Sequence, residues 1–417
     1  MKNKKALYLL LSANAISHFA QGISMLAIPW YFTKVINQPS TFSIIYSVAT
    51  FATLFWGLYA GTLIDRFPRK NIFLSICAIS AVVLISTSAL GYSQGMVPMF
   101  GVAFVFCFTL FNYNVHYPTL YAFGQEITEK KYYRKTNSLL EIMGQSTNVI
   151  SGAAAVMLIE GIDIELFGWE IQISPWPIRR IFLFDGITYL LAFTLIYFIK
   201  YIPTTENKIS REPIAKRLKE GISYLRQRML LFLFGNASYT VFIFVLLAMH
   251  QLWPLYIVNH LEENGNAYAL TKIHYATGAL LAGIFIAKVF RKQNTVYSII
   301  NLMLLAIIGF LLLAFSKNLY LLLIVALALG ITNAGIRIQR ITYLFNHIPN
   351  HIIGRTNSVF QSINILLRSA FIAIFSIQFF SEGSNVTWAF VIAAIATIAS
   401  IIPLMWNYRS LRKLKNH

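Results

Sequence analysis

The ten residues GTLIDRFPRK, at positions 61–70, join two long apolar segments of the chain. They place charged and turn-forming residues between an apolar run that ends near residue 64 and another that begins at Ile72. A membrane-spanning helix needs about 20 mostly apolar residues. A short charged join between two such runs therefore predicts a turn at a membrane surface.

Apolar runs of this length recur along the whole chain, and about twelve of them are long enough to cross a bilayer. Their expected limits are 7–35, 41–64, 72–93, 96–123, 136–161, 180–201, 229–258, 266–290, 295–316, 318–346, 356–381 and 386–408. Of the 417 residues, 57% are hydrophobic and only 12% are charged, too few to cover water-soluble cores. We therefore predict an all-α polytopic protein of the cell (inner) membrane.

The basic residues indicate how the chain is oriented. The formal net charge is +19, and most Lys and Arg residues fall in joins on one side, including both chain ends, whereas most acids fall on the other. By the positive-inside rule, both termini are expected in the cytoplasm. The cations form short clusters between apolar runs instead of one basic face with stacking aromatics, so nucleic acid is not an expected partner.

The sequence also contains an internal repeat. RKTNSLLEIMGQ, from Arg134, is echoed about 220 residues later by GRTNSVFQSINI, and GTLIDRFPRK is echoed by GIFIAKVFRK, from Gly283. We therefore predict two pseudo-symmetric six-helix halves, 1–201 and 229–417. Between them, residues 202–228 include apolar positions at helical spacing and predict a cytoplasmic amphipathic linker helix. A plain basic linker is the alternative.

The join at 61–70 resembles the signature loop of the major facilitator superfamily: a glycine, three residues, Asp-Arg, two residues and a basic pair, after the second span. The stretch LKEGISYLRQR before the seventh span is similar to the linker in the branch of macrolide-efflux proteins and enterobactin-type siderophore exporters. The resemblance implies the twelve-helix fold of that superfamily and transport by alternating access.

The resemblance also implies a gating role for the loop residues Gly61, Asp65, Arg66, Arg69 and Lys70. In the family the acid meets the N-terminal end of the eleventh helix, where free N–H groups carry partial positive charge. In this chain that end is expected at 355–358. The alternative is an ordinary positive-inside loop, which explains the three cations equally well.

Ionisable residues inside spans are candidates for proton or charge coupling, because they are costly in hydrocarbon. The candidates are Glu141, Arg337, Arg340 and Arg368. Glu141 is expected either to carry a proton or to pair with a cation such as Arg340. Arg368 is expected near mid-bilayer. There it attracts an anionic group of the substrate, restrains the pKa of Glu141, or forms an ion pair with a purely structural role.

Polar and aromatic side chains in the spans form a candidate substrate cavity, which the resemblance places on the first, fourth, seventh and tenth helices. The candidates are Asn14, His18, Gln21, Asn112, Asn114, His116, Gln145, Asn148, Asn236, Tyr239, Asn333, Gln361 and Asn364. For the two histidines, hydrogen-bonded packing is the alternative. Asp185 is expected to form an interface ion pair with Arg179 and Arg180.

Together these features predict a monomeric, proton-coupled exporter of a bulky amphiphilic small molecule such as a drug, a macrolide or a siderophore. An importer or lysophospholipid flippase of the same fold is the alternative, and a non-transporting receptor or enzyme is a remote one. The sequence has no P-loop, no H-E-x-x-H and no G-x-S-x-G, so no enzyme activity, cofactor or metal is expected. Antiporters of this superfamily usually carry a Gly-Pro pair followed by glycines in the fifth span, whereas here Gly152 is followed by alanines. The fourth span also lacks the arginine that many proton antiporters have there. These two departures leave the direction of transport and the coupling ion open.

Overall fold

The computed structural model describes residues 4–129, 132–166, 169–201, 214–290 and 294–414. Six long helices come first: α1 Lys4–Trp30, α2 Pro39–Arg66, α3 Arg69–Ser93, α4 Met99–Glu126, α5 Tyr133–Glu160 and α6 Ile178–Tyr197. A π-helical turn over Tyr31–Val35 extends α1. Pro39 and Pro98 stand at the starts of α2 and α4, where a missing N–H leaves no helical bond unmade.

The second half repeats this pattern with a broken first helix. Its elements are α7 Ile214–Gln227, α8 Met229–Ala237, α9 Thr240–Leu247, α10 Trp253–Leu255, α11 Gly265–Val289, α12 Thr295–Phe315, α13 Leu319–His347, α14 Asn350–Phe375, α15 Val386–Trp406 and α16 Tyr408–Arg412. Two π-helical turns, Ala248–Leu252 and Tyr256–His260, connect and extend α9 and α10. Residues 229–260 therefore form one candidate span.

The all-α membrane fold is confirmed. In the described part of the chain, 11 helical segments are long and apolar enough to cross a membrane, and α1 adds a helix of 27 residues. One small addition was not predicted: β1 Ile162–Leu166 and β2 Trp169–Ile173 form an antiparallel hairpin in which Ile162 pairs with Ile173. Its sequences, IDIEL and WEIQI, alternate apolar and polar residues as strands do.

Helix α7 occupies the second part of the predicted linker, whose residues 202–213 lie outside the described ranges. It packs against the start of α14, where Glu220 forms an ion pair with Arg355. A Cβ atom on Gly221 would lie 2.6 Å from the carbonyl oxygen of Arg355, so only glycine permits this approach. The linker helix is therefore fixed to a spanning helix.

The chain divides into two compact units. Unit 1 comprises Met1–Gln38, Val48–Ser210 and Asn264–Ile273, and unit 2 comprises Pro39–Ser47, Arg211–Glu263 and His274–His417. Relative to the predicted halves, the units exchange the first residues of α2 and α11. Within unit 2, Ser47 Oγ donates a 2.9 Å hydrogen bond to the carbonyl oxygen of Ser369. Within unit 1, Tyr268 stacks on Trp30 with ring centroids 5.9 Å apart.

Helix packing differs between the two units. In unit 1, a mostly apolar cavity of about 470 Å³ lies between α2, α3 and α4, lined by Trp56, Phe67, Ile76 and Phe111 among others. In unit 2, glycines bring α11 and α13 into backbone contact. A Cβ on Gly278 would overlap the Leu327 carbonyl oxygen, and a Cβ on Gly330 would overlap that of Tyr275.

Both units share one hydrogen-bond clasp, made by the tyrosine that begins a π-helical turn. Tyr31 donates to the carbonyl oxygen of Val97 over 3.3 Å, and Tyr256 donates to that of Ser316 over 2.5 Å. In each case the acceptor lies in the join between the third and fourth spanning helices of the half. The clasp ties the end of the first helix to that join.

Candidate functional site

Helices α1, α4 and α5 bring several of the predicted polar residues together in unit 1. The Nε2 atom of His116 lies 3.0 Å from Asn14 Oδ1, and the Nε2 atom of His18 lies 3.0 Å from Asn148 Oδ1. Gln21 also hydrogen-bonds to His18. Residues 14, 18 and 21 share one face of α1 because they are three and four positions apart. We call these five residues the polar ladder.

Aromatic rings surround the two histidines of the polar ladder. Tyr117, which is 38% exposed, lies edge-on to both, with ring centroids 6.1 Å from His18 and 5.5 Å from His116. Tyr113 follows at 5.5 Å from Tyr117. Phe73 of α3 closes the other side of His116 at 5.0 Å. The arrangement offers hydrogen-bonding groups and flat apolar surface at one place.

Two of the predicted cavity residues on α4 are used elsewhere. Asn112 is buried and donates a 3.1 Å hydrogen bond to Ser80 Oγ of α3. Asn114 donates to the carbonyl oxygen of Leu110 in its own helix over 3.0 Å. Neither side chain contacts the polar ladder through a hydrogen bond of the described residues.

The predicted ion pair between Asp185 and the arginines at the start of α6 is wrong. Asp185 is 2% exposed, and its Oδ2 accepts a 2.6 Å hydrogen bond from Ser24 Oγ of α1. Arg179 lies over the Tyr92 ring and Arg180 over the Trp176 ring, at 5.3 and 4.2 Å. The arginines precede Asp185 by five and six positions, which turns them about 140° and 240° around the helix from the carboxyl group.

The signature loop binds to its own unit through two of its cations. Arg69 is buried at the start of α3, donates to the Ile64 and Phe67 carbonyl oxygens, and lies 3.7 Å from Glu126 Oε1. Lys70 donates to the carbonyl oxygens of Tyr197 and Ile199, both at 2.8 Å. The backbone of 61–66 ends α2. The side chains of Asp65 and Arg66, and the surroundings of Gly61, lie outside the described part.

In unit 2, two arginines inside the spans lie near tyrosines. Arg340 is 5% exposed; its guanidinium lies 3.4 Å from the centroid of the Tyr239 ring, and Nη1 donates to the Ser238 carbonyl oxygen over 3.3 Å. Arg368 lies within electrostatic range of Tyr46. The contact of the Arg340 guanidinium with the Tyr239 ring is a cation–π interaction, which stabilises a buried cation.

Arg337 belongs to the same group of cations. It lies within electrostatic range of Tyr275, whose hydroxyl accepts a 2.7 Å hydrogen bond from Asn333 Nδ2. Trp253 packs edge-on to the same ring at 6.1 Å. The structure thus brings Asn333 and Arg337, both predicted site residues, to one tyrosine that the sequence analysis did not select.

The remaining predicted residues are dispersed or not described. Asn236 donates to the Phe232 carbonyl oxygen of its own helix over 2.9 Å. Gln361 is exposed, and Asn364 is buried with no hydrogen-bond partner for its Nδ2 atom among the described residues. The side chains of Glu141 and Gln145 lie outside the described part.

Sequence reasoning missed Lys272 in α11, whose ammonium lies 5.3 Å from the centroid of the Tyr268 ring. Its position inside an apolar run was the signal that could have revealed it, because a lysine there is costly. In the part of the chain that the structure describes, no three His, Cys, Asp or Glu side chains gather as metal ligands would.

Comparison with known proteins agrees with the fold. The family model of the Major Facilitator Superfamily matches residues 10–371. Macrolide efflux protein A of Streptococcus pyogenes is 22% identical over 286 residues, which cover 68% of this chain and 66%, just under two thirds, of that protein. The protein of the same name from Enterococcus faecalis is 22% identical over 234 residues, covering 55% and 67%.

Two solved structures illustrate the likeness in three dimensions. The nucleoside transporter NupG superposes with a TM-score of 0.71 at 11% identity, over 98% of this chain and 100% of its own. The POT family transporter PepTSo also gives 0.71 at 11% identity, over 99% of each chain. At such low identity the likeness concerns the fold alone.

Proposed function

Since the chain belongs to the major facilitator superfamily, and is thus a multi-pass membrane transporter for a small molecule and not an enzyme, we propose that it exports a bulky amphiphilic compound in exchange for protons. The observation that carries this proposal is the similarity to macrolide efflux proteins, which runs over 68% of the chain. The compound is a drug, a macrolide or a siderophore. The protein works as a monomer in the inner membrane with both termini in the cytoplasm.

The polar ladder is the proposed substrate contact of the first half. It combines amide and imidazole groups with the rings of Tyr113 and Tyr117, which suits a molecule that is flat and apolar in part and hydrogen-bonding in part. In the second half, Tyr239 and Asn333 also supply an aromatic ring and an amide group. The other predicted cavity residues stay predictions.

Charge coupling is assigned to Glu141 together with Arg337, Arg340 and Arg368. Permanent cations in the spans favour the ionised form of a nearby acid and an anionic group on a substrate. The signature loop, with Gly61, Asp65 and Arg66, keeps its predicted role in gating.

The proposal is tested with purified full-length protein in liposomes that enclose a pH-sensitive dye. A pH gradient is imposed, macrolides and catecholate siderophores are added in turn, and wild type is compared with Glu141→Gln and with the exposed control Glu262→Gln. We expect substrate-dependent proton flux in wild type and control, and none in Glu141→Gln.

Each other outcome has a definite meaning. If proton flux persists in Glu141→Gln, another group carries the proton. If labelled compound crosses the membrane without proton flux, proton coupling is overturned. If the compound moves in the same direction as the protons, the protein is an importer. If no labelled compound of either class crosses, the proposed substrate class is wrong.

A further inference from the structure

We propose that Asp185 of α6 is a proton-binding site of the transport cycle: it carries a proton in the conformation described here and releases it when the transporter changes conformation. This inference rests on the proposed proton-coupled function and adds a site at a residue that was predicted to form an interface ion pair. Its basis is the burial of the carboxyl group and the small number of its partners.

The carboxyl group of Asp185 has a single hydrogen-bond donor. Its side chain is 2% exposed, Oδ2 accepts the 2.6 Å hydrogen bond from Ser24 Oγ, and Oδ1 is buried without a partner among the described residues. No Lys, Arg or His within the described ranges forms an ion pair with it. One hydroxyl does not compensate a buried negative charge, whereas a neutral carboxylic acid is far cheaper to bury.

In the described part of the chain, the polar groups found around Asp185 are hydroxyls, phenols and a thiol. Ser24 lies on α1 and Tyr113 of α4 lies within electrostatic range. Tyr189, one turn further along α6, is also within range and is hydrogen-bonded to Ser80 of α3. Cys77 of α3 lies near Tyr189 and is buried. None of these side chains supplies the positive charge that an ionised Asp185 needs.

A chain of polar side chains leads from Asp185 towards the polar ladder. Tyr113 lies within electrostatic range of both the carboxyl group and Tyr117, and the two tyrosine rings are 5.5 Å apart. Tyr117 is 38% exposed and its ring lies 6.1 Å from that of His18. Phenol and imidazole groups can both give and take up a proton, and this row places such groups near the buried acid and at the proposed substrate contact.

The proton balance of the step is simple. Asp185 takes up one proton to become a carboxylic acid, and the same proton leaves when the group ionises. Ionisation requires new stabilisation, which water supplies once α1 and α6 separate enough to break the bond from Ser24. The bond from Ser24 is the contact that the acid gives up in this step, and the acid itself carries the proton.

The experiment compares wild type, Asp185→Asn and Ser24→Ala as full-length proteins in liposomes. Asn keeps the acceptor for Ser24 but cannot ionise, while Ser24→Ala removes the hydrogen bond and leaves the acid titratable. We expect Asp185→Asn to lose substrate-driven proton release and keep exchange of labelled for unlabelled macrolide across the membrane. Ser24→Ala should keep both. A merely structural Asp185 would give equal losses in both variants, and proton release of wild-type size in Asp185→Asn would overturn the proposal.

Infrared spectroscopy gives a second measurement that needs no substrate. A protonated carboxylic acid in the membrane has a carbonyl stretch distinct from that of a carboxylate. We expect such a band in wild type, absent in Asp185→Asn and shifted in Ser24→Ala because its hydrogen bond changes. A band insensitive to Ser24→Ala overturns the assignment even if Asp185→Asn fails to fold. If wild type moves labelled compound without protons, the proposed coupling fails, whereas the band still decides whether Asp185 is protonated.

Discussion

The first and second halves of the chain keep polar groups inside the membrane in different ways. In the first half, neutral side chains pair with each other: Asn14 with His116, and His18 with Asn148. In the second half, arginines lie against tyrosine rings, as Arg340 does against Tyr239. A histidine or a buried acid can gain or lose a proton within the physiological range, whereas an arginine stays charged. Among these pairs, the side chains of the first half carry no fixed charge, whereas the arginines of the second half supply constant positive charge.

The halves also differ in how their helices approach each other. Glycines bring α11 and α13 into backbone contact, whereas α2 and α4 border a cavity of about 470 Å³. Gly57 of α2, which aligns with Ala279 next to Gly278, has only Asn114 Oδ1 near the position of a Cβ, at 3.6 Å. An internal repeat can thus preserve helix order while its two copies pack with different tightness.

The largest expected effect comes from substituting Gly330. We expect Gly330→Ala to lower the free energy of unfolding by about 3 kcal/mol, because the added methyl group overlaps the Tyr275 carbonyl oxygen and forces two backbones apart. Gly57→Ala should be neutral or slightly stabilising, because alanine favours helix. Thermal unfolding of both variants in detergent measures the difference. Equal losses would show that α2 and α4 pack as tightly as α11 and α13.

Next in size is the contact between Arg340 and Tyr239. Tyr239→Leu removes the ring beneath a guanidinium that is 5% exposed and should destabilise the protein by about 2 kcal/mol. Tyr239→Phe keeps the ring and is the matched control, with little expected loss. The same thermal assay applies. If Tyr239→Phe costs as much as Tyr239→Leu, the hydroxyl and not the ring stabilises the cation.

A smaller effect is expected in the polar ladder. Asn14→Leu leaves the buried imidazole of His116 without its partner and should cost about 1 kcal/mol. Combining it with His116→Phe removes both polar groups and should restore most of the loss. The double-mutant cycle measures the coupling between the two side chains. Strictly additive losses would mean that the pair does not hold this half together.

The smallest effect is expected at an exposed pair outside the membrane. Lys317 Nζ lies 2.6 Å from Glu262 Oε1, and its hydrogen bond lowers the pKa of Glu262 below the usual value of 4.5. The stabilisation is therefore present above that value and is lost as the pH falls through the lowered one. Glu262→Gln should unfold at a slightly lower temperature than wild type at neutral pH and at the same temperature in acid. A difference that grows in acid would reverse this sign.

Much of the fold could be predicted from the sequence, because twenty-residue apolar runs and charged joins report directly on a bilayer. The hairpin at 162–173 was missed since its strands lie in a join that the span criterion ignores. At the site, the spacing of Asn14 and His18 predicted that they share one face of α1. Only the structure shows that their partners lie on α4 and α5. The ion pair of Asp185 was predicted from its closeness in sequence to Arg179 and Arg180. It was wrong because the helix turns these arginines to other neighbours, the rings of Tyr92 and Trp176.

The tyrosine clasp has a bearing on the history of the chain. Tyr31 and Tyr256 each begin a π-helical turn at the end of the first span of their half, and each reaches the same join. The two copies of the repeat therefore share a geometric feature as well as sequence motifs. They keep the clasp although the tyrosines lie 225 residues apart and the loop motifs 222, and although Asp65 of the first loop stands opposite Ala287 of the second.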